Sequence, residues 1–264
     1  MEVLIIGYGV IGKATHSVIG QQGHNVTICD PHIGYDPSTT GPFDVVLGCT
    51  PCGDGRLDIE ELLGRIMTSN IIIRSTILPD TVAGLEETLK GQERESINVY
   101  HWPEFLTEAT AYKDALRPDK LVIGTRAGWH EHNNPDRDRD CKLFRELLGP
   151  DHSSDANWVT LEASALGKLA INNYYALKVL FHNVIWQMTG EDHVDYHQVL
   201  SILGADQRIK LTHHKIDHGE HRGFGGKCLP KDWQIAASAV DSQPIREFYE
   251  AVWDLNETFK GSTT

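Results

Sequence analysis

A cysteine set in a glycine-rich turn, Gly223-Phe-Gly-Gly-Lys-Cys228-Leu-Pro-Lys231-Asp232, carries the strongest chemical signal in the chain. The glycines before it, Gly225 among them, let the backbone approach a substrate closely. An ammonium near a thiol lowers its pKa and makes thiolate available near neutral pH, and Lys231 and Asp232 bring charge to that place. Thiolate is the natural nucleophile for holding an aldehyde covalently. A buried cysteine in an ordinary turn would explain neither the glycines nor the Pro-Lys-Asp that follows. Lys168 and Asn172 stand four apart in a helical pattern, so they share one face. An unpaired amine is costly to bury, which points to an anion or a developing oxyanion as the partner of Lys168; the bland alternative is a lysine reaching out to water. His213, His214, His218 and His221 cluster just ahead of the glycine turn. Their spacing suits metal ligands, but no flanking cysteine or carboxylate pattern fixes a site. They read as a solvated, mobile loop covering a substrate, and no metal is expected.

A second constellation opens the chain. A short apolar strand runs into Gly7-Tyr8-Gly9-Val10-Ile11-Gly12 and then a helical stretch. The first glycine permits the tight turn, the second lets a pyrophosphate approach the backbone, and the third lets the helix pack on the strand with its N-terminus toward the phosphates. Glycine-rich turns also arise for structural reasons alone, but here the next strand ends at Asp30, where a carboxylate can accept both ribose hydroxyls. The same carboxylate repels a 2′-phosphate, and Pro31 and His32 bring no arginine to pair one. NAD is therefore expected rather than NADP.

The elements that must position these residues follow from periodicity. Segments 3–6, 26–29, 44–48, 70–73, 97–100 and 120–124 read as short buried strands separated by turn-rich or helical crossovers, the pattern of a parallel, doubly wound sheet. Residues 126–141 alternate charges and read as a solvated loop entering a surface helix. From about residue 155 the period becomes helical. In 163–188, Leu166, Ala170, Leu177, Leu180, Val184 and Met188 form one apolar stripe, while Lys168, Asn172, Tyr175, Val179, Asn183 and Trp186 lie opposite. With so little charged surface this helix is expected to be buried all round. A final helix is expected over 247–258. The fold class expected is α/β: a Rossmann-like domain over 1–155, then an all-α domain over 156–264 built on the long central helix.

Composition bounds the partners. With 24 Lys and Arg against 37 Asp and Glu, the formal charge of -13 argues against nucleic acid or an anionic membrane, both of which need a basic face. The opening apolar run is too short for a signal peptide or a membrane span. Five cysteines form no paired framework, so reduced thiols and a cytoplasmic location are expected.

Placed in order, these motifs resemble the UDP-glucose/GDP-mannose dehydrogenase family. Cys-Thr50-Pro51 is similar to the family's Val-Pro-Thr-Pro, and Arg-Ser75-Thr76-Ile-Leu-Pro to its Lys-Ser-Thr-Val-Pro. Pro-Glu104-Phe105-Leu106-Thr-Glu108 is similar to Pro-Glu-Phe-Leu-Arg-Glu, and Asp206-Gln-Arg208-Ile to Asp-x-Arg-Ile. The helix repeats the family's Lys-xxx-Asn, and the Cys228 motif matches almost letter for letter. The resemblance implies oxidation of a nucleotide sugar's primary alcohol, most closely UDP-glucose, in two hydride transfers to NAD without release of the aldehyde. Cys228 would form a thiohemiacetal and then a thioester, which water hydrolyses. Lys168 with Asn172 would stabilise the alkoxide-like oxygens, while Asp232, Thr76 and Glu108 are candidates for orienting and deprotonating water. Gly7 to Gly12, Asp30, Thr50, Pro51, Ser75 and Thr76 would hold the cofactor. Glu104, Phe105, Leu106, Glu108, Lys168, Asn172 and Gly225 would meet the substrate. Arg208 would reach the substrate of a neighbouring subunit, giving a homodimer through the helical domain.

There are departures. Only 14 positions separate Asp30 from Asp44, shorter than the usual passage, and Val184 stands where the family has Glu. The chain is expected to be a short form without the family's C-terminal domain that grips the uridine nucleotide. Two other readings remain. A single-hydride hydroxyacid dehydrogenase of the 6-phosphogluconate or 3-hydroxyisobutyrate kind also places Lys and Asn four apart on a long helix, but does not need the cysteine. A non-catalytic, nucleotide-binding relative would have no use for the Cys, Lys and Asp together.

Overall fold

The structure, a computed structural model, describes every residue except 34–41, 54, 56–65, 107–109, 117, 127–135, 151–155, 192, 218–220 and 262–264. Two compact units, Met1–Lys168 and Leu169–Thr264, divide the chain.

The first unit is an α/β sheet domain. Its elements are β1 (Glu2–Ile6), α1 (Val10–Gly20), β2 (Asn25–Cys29), β3 (Val45–Gly48), β4 (Asn70–Ile73), α2 (Pro79–Gly91), β5 (Asn98–His101), α3 (Ala111–Leu116), β6 (Val122–Thr125), α4 (Arg137–Leu148) and β7 (Asn157–Thr160). The strands lie in the order β2-β1-β3-β4-β5-β6-β7. Chain direction reverses its march across the sheet between β1 and β3, the switch point outside which ligands of open α/β sheets bind. Alternate strand residues serve opposite faces: Leu4, Ile6, Val46, Ile71 and Ile73 enter one apolar cluster, and Val3, Ile5, Val45, Leu47 and Ile72 the other. Both faces are thus covered, which is why these strands read as continuous apolar runs. Each such side chain contributes about 1.5–3 kcal/mol by leaving water.

The α/β sheet expected is present and mostly parallel, with one local departure and one boundary corrected. The sheet is not wholly parallel, because β6 pairs antiparallel with β5 through His101 and Gly124. The strand's own residues carry no direction; the connector does, and α3 packs on α1 rather than carrying a crossover that would return the chain in parallel. Residues 157–160, read as the start of a helical region, form β7, parallel to β6. Trp158 there packs edge-on to Phe144 at 5.5 Å, and tertiary burial of that ring outweighs the helical context that follows.

The long helix α5 (Leu161–Glu191) has 31 residues and spans roughly 46 Å; the unit boundary falls within it. It is followed by α6 (Tyr196–Ala205), α7 (Cys228–Ser238) and α8 (Gln243–Gly261). In the second unit Ala176, Val179 and Leu180 of α5 pack with Phe224, Trp233 and Phe259. The expectation that α5 is buried all round is also corrected. The side carrying Lys168, Asn172, Val179 and Asn183 is buried, while on the apolar stripe Leu166 is 59% exposed and Met188 52%, with Tyr174 at 61% and Phe181 at 53% on the same side. Buried amides donate within the helix, Asn173 to the Leu169 carbonyl and Asn183 to that of Val179, while Asn173 Oδ1 has no partner among the described residues. An amide whose donor is bonded can face inward at modest cost, and Leu180 of the apolar stripe is itself buried, so the helix is buried over part of its circumference rather than all round. Among the described residues no helix is long and apolar enough to cross a membrane.

Candidate active site

At the carboxyl ends of β1 to β4 the first unit gathers the residues expected at the cofactor. Gly7 has φ +89°, and a Cβ there would lie 2.9 Å from the Cys49 carbonyl. At Gly12 a Cβ would stand 2.1 Å from the Gly7 carbonyl oxygen, so the turn closes only without side chains. Gly9 caps α1 with no side-chain bond and has open space around it. The first-turn N–H groups of Val10, Ile11 and Gly12 are the orphan donors of a helix start, suited to phosphate oxygens. Asp30 is oriented by its neighbours: Oδ2 accepts from the Tyr8 N–H at 2.7 Å and Oδ1 from the His32 N–H at 3.0 Å. Ser75 Oγ donates to the Thr50 carbonyl at 2.6 Å, tying the ends of β3 and β4 together beside Pro51 and the buried Thr76. The buried hydroxyl Thr50 Oγ1 has no partner among the described residues. An orphaned polar atom beside an uncapped helix start and a glycine turn fits a dinucleotide.

Lys168 does not stand alone. Its Nζ lies 3.4 Å from Glu104 Oε1, both side chains being buried, and the other Glu104 oxygen accepts from the Leu106 N–H at 2.8 Å. The Phe105 ring carries Lys120 at 4.6 Å and Lys168 at 5.4 Å from its centroid. Deeper in, the Arg74 guanidinium stacks 3.5 Å from the Trp102 ring centroid and donates to the Trp102 carbonyl and Thr15 Oγ1. Burial lowers the Arg74 pKa to about 10, although Cys49 and Glu104 pull it upward. A buried ion pair with a loose 3.4 Å contact is weak evidence for stability and better evidence for a site. Glu108 lies outside the described residues.

In the second unit Cys228 is the first residue of α7 and exposed. Asp232, one turn on, is 1% exposed. Its Oδ2 accepts from Asn172 Nδ2 at 2.5 Å and its Oδ1 from Lys231 Nζ at 2.5 Å. The Lys231 ammonium is therefore engaged by the carboxylate beside it. The turn before Cys228 is bolted by two asparagines. Asn256 Oδ1 accepts from the Phe224 N–H at 2.7 Å and its Nδ2 donates to the Phe224 carbonyl, while Asn183 Oδ1 accepts from the Gly223 N–H. Gly223 and Gly226 have φ of +77° and +74°, a region that favours glycine. A Cβ at Gly225 would meet the His221 ring at 2.4 Å, so that space belongs to His221. Arg208 is out in solvent, paired with Asp206 at 2.6 Å.

The histidines are more packed than a solvated loop. His213 stacks on Tyr175 at 4.0 Å and His214 meets His182 at 6.2 Å; His218 lies outside the described residues. Sequence reading missed His101, Ser164 and Arg74, and the anchoring of the cysteine turn by Asn256. Arg74 opens the Arg-Ser75-Thr76 motif but was given no role there; His101, Ser164 and Asn256 sit in no spaced motif, and only their burial sets them apart.

Residues 58–146 match the model of the NAD binding domain, and residues 162–258 that of the central domain, of the UDP-glucose/GDP-mannose dehydrogenase family. A UDP-glucose 6-dehydrogenase of Rickettsia felis is 32% identical over 292 residues, covering 93% of this chain and 62% of that protein. The chain thus spans less than two thirds of that relative's length. A UDP-glucose dehydrogenase of the archaeon Pyrobaculum islandicum shares the fold, with TM-score 0.76 and 22% identity over 97% of this chain and 68% of that one. So does a 3-hydroxyisobutyrate dehydrogenase of Mycobacterium tuberculosis, with TM-score 0.67 and 13% identity over 98% of this chain and 94% of the other.

Proposed function

The chain belongs to the UDP-glucose/GDP-mannose dehydrogenase family, and from that premise we propose that it oxidises the C6 primary alcohol of a nucleotide sugar, UDP-glucose to UDP-glucuronate, through a thiohemiacetal and then a thioester on Cys228. One observation supports this reading above the others: Cys228 opens α7 exposed, while Asp232 one turn later is buried and grips Asn172. A cysteine kept for packing would be the buried member of that pair.

NAD, when bound, would supply the hydride acceptor for the two oxidations. The α1 start with Gly7, Gly9 and Gly12 holds its pyrophosphate, Asp30 its ribose, and Thr50, Pro51, Ser75 and Thr76 its nicotinamide side. Lys168, steadied by Glu104, stabilises negative charge on the reacting oxygen, with Asn172 as the second donor. The Cys228 sulfur adds to the aldehyde carbon, and its bond to that carbon breaks when water attacks the thioester. Asp232, Thr76 and Glu108 are the candidates for orienting that water and taking its proton. Phe105 and Leu106 of the first unit, and separately Gly225 of the second, are the further candidates for meeting the sugar.

The exposed apolar stripe on α5 supports a homodimer. Leu166, Tyr174, Phe181 and Met188 recur every seven or eight residues, the repeat of one helix packing along another. A second copy supplying the same stripe satisfies it, and the exposed Arg208 is the residue such a copy is proposed to lend to the first copy's substrate.

The test is stoichiometric. Supplied with NAD and UDP-glucose, the protein should form about two NADH per sugar consumed, and Cys228→Ala should abolish carboxylate formation. A single NADH per turnover with an active Cys228→Ala variant would assign the chain to the hydroxyacid dehydrogenases whose fold it shares. NAD binding without turnover of any nucleotide sugar or hydroxyacid would make it a binding protein.

A further inference from the structure

His101 ends β5 and is fully buried, and nothing in the chemistry above uses it. Its Nε2 lies 3.2 Å from the Ser75 carbonyl oxygen and its Nδ1 2.9 Å from Ser164 Oγ. A carbonyl can only accept, so Nε2 carries the proton. A neutral imidazole has just one N–H, so Nδ1 must accept from the Ser164 hydroxyl. Burial holds the ring neutral, against the Ser75 bond and with the charges of Arg74 and Lys168 acting the same way as burial; its pKa falls to about 4.

The two ends of this bracket matter. Ser75 belongs to the strand end that also bears Thr76 and reaches the Thr50 carbonyl. Ser164 lies on α5 four residues before Lys168, so the hydroxyl and the amine rise from one helix face on successive turns. Gly124, the residue paired with His101 across β5 and β6, makes room for the contact: a Cβ there would fall 2.8 Å from Ser164 Cβ and 3.1 Å from Leu161 Cα. The start of α5 therefore rests directly on the sheet backbone, and the neutral ring stands between its Ser164 hydroxyl and the Ser75 carbonyl.

We propose that His101 is a positioning residue, a neutral bracket from the Ser75 carbonyl to the Ser164 hydroxyl that holds the Lys168 turn at its working distance from the strand ends that receive the nicotinamide. This rests on the reading that Lys168 acts on the reacting oxygen. Since displacing a catalytic group by about 1 Å can cost on the order of a hundredfold, losing the bracket should act on kcat and leave cofactor affinity alone.

The test uses the full chain with NAD and UDP-glucose and four variants: His101→Phe, His101→Gln, Ser164→Ala and the His101→Phe/Ser164→Ala double. Ser164→Ala and His101→Phe should each lower kcat about tenfold or more, with the KM for NAD within about twofold. The double variant should be no worse than His101→Phe, because both changes remove one bond. His101→Gln, which keeps one donor and one acceptor, should recover most of the loss. A Ser164→Ala enzyme at full kcat, losses that multiply, or a Gln variant no better than Phe would overturn the proposal. If the wild type oxidises no nucleotide sugar, the substrate reading fails on its own, and nitrogen-15 NMR judges the bracket. The His101 ring should then stay the Nε2–H tautomer from about pH 5.5 to 8, and Ser164→Ala should move the Lys168 ammonium signal. A titrating ring or an unmoved signal would overturn it.

Discussion

Asn172 on α5 and Asp232 on α7 are joined by an amide-to-carboxylate hydrogen bond of 2.5 Å, out of contact with solvent. The bond makes the long helix and the cysteine helix one mechanical unit, and it occupies one of the two carboxylate oxygens. Replacing Asp232 by Ala strands the Asn172 amide in a dry environment and releases Lys231. The expected cost is about 1–3 kcal/mol of stability, read by urea denaturation, with carboxylate formation lost. Asp232→Asn keeps the shape and should cost less stability while losing as much turnover. Equal activity in Asp232→Asn would remove the carboxylate from the chemistry.

Lys168 and Glu104 should behave as a buried pair. Glu104→Gln leaves the ammonium without its counter-charge and is expected to destabilise the fold by about 3 kcal/mol or more. Adding Lys168→Met to it should return much of that stability, because no charge is then buried, while turnover stays absent. Denaturation midpoints of the two singles and the double decide this; a double as unstable as the sum of the singles would contradict it.

The first unit should lose stability at both ends of the pH range. His101 has its folded pKa lowered to about 4 by burial. The unfolded chain therefore binds more protons in the window from about 6.5 down to 4, and stability present at neutral pH drains away as pH falls through it. Cys49 is raised to about 11 by burial, against the pull of Arg74. There the unfolded chain ionises first, so stability falls as pH rises from about 9 towards 11. Inside either window a one-proton difference changes stability by at most about 1.4 kcal/mol per pH unit. His101→Gln should flatten the acid side and Cys49→Ser the alkaline side in denaturation series over pH; unchanged slopes would refute the assignment.

The α5 stripe should govern assembly. Tyr174→Asp with Phe181→Asp, both exposed in the single chain, should convert a dimer to monomer in sedimentation without unfolding it, since neither side chain belongs to the interior clusters. A wild-type monomer at tens of micromolar, where a stable interface of this kind would be formed, would remove the dimer from the mechanism.

Local spacing was enough to read the parts whose geometry is local. Gly7, Gly9 and Gly12 need no distant residue to make their turn, and residues four apart on a helix always share a face. So the glycine turn and the Lys168–Asn172 face were legible, as were the strands built of β-branched runs, while the segment at Cys228 was read only as a glycine-rich turn and not as the start of a helix. What only the tertiary structure decided is everything that depends on which chain segment arrives opposite. The sense of β6 depends on its connector, and the Trp158 strand on a pocket made by Phe144. The inward turn of the amide-bearing side of α5, the meeting of Lys168 with Glu104 and the placing of His101 between Ser75 and Ser164 are of the same kind. Those are contacts between residues far apart in sequence, and their energies come from burial and desolvation, which no spacing rule encodes.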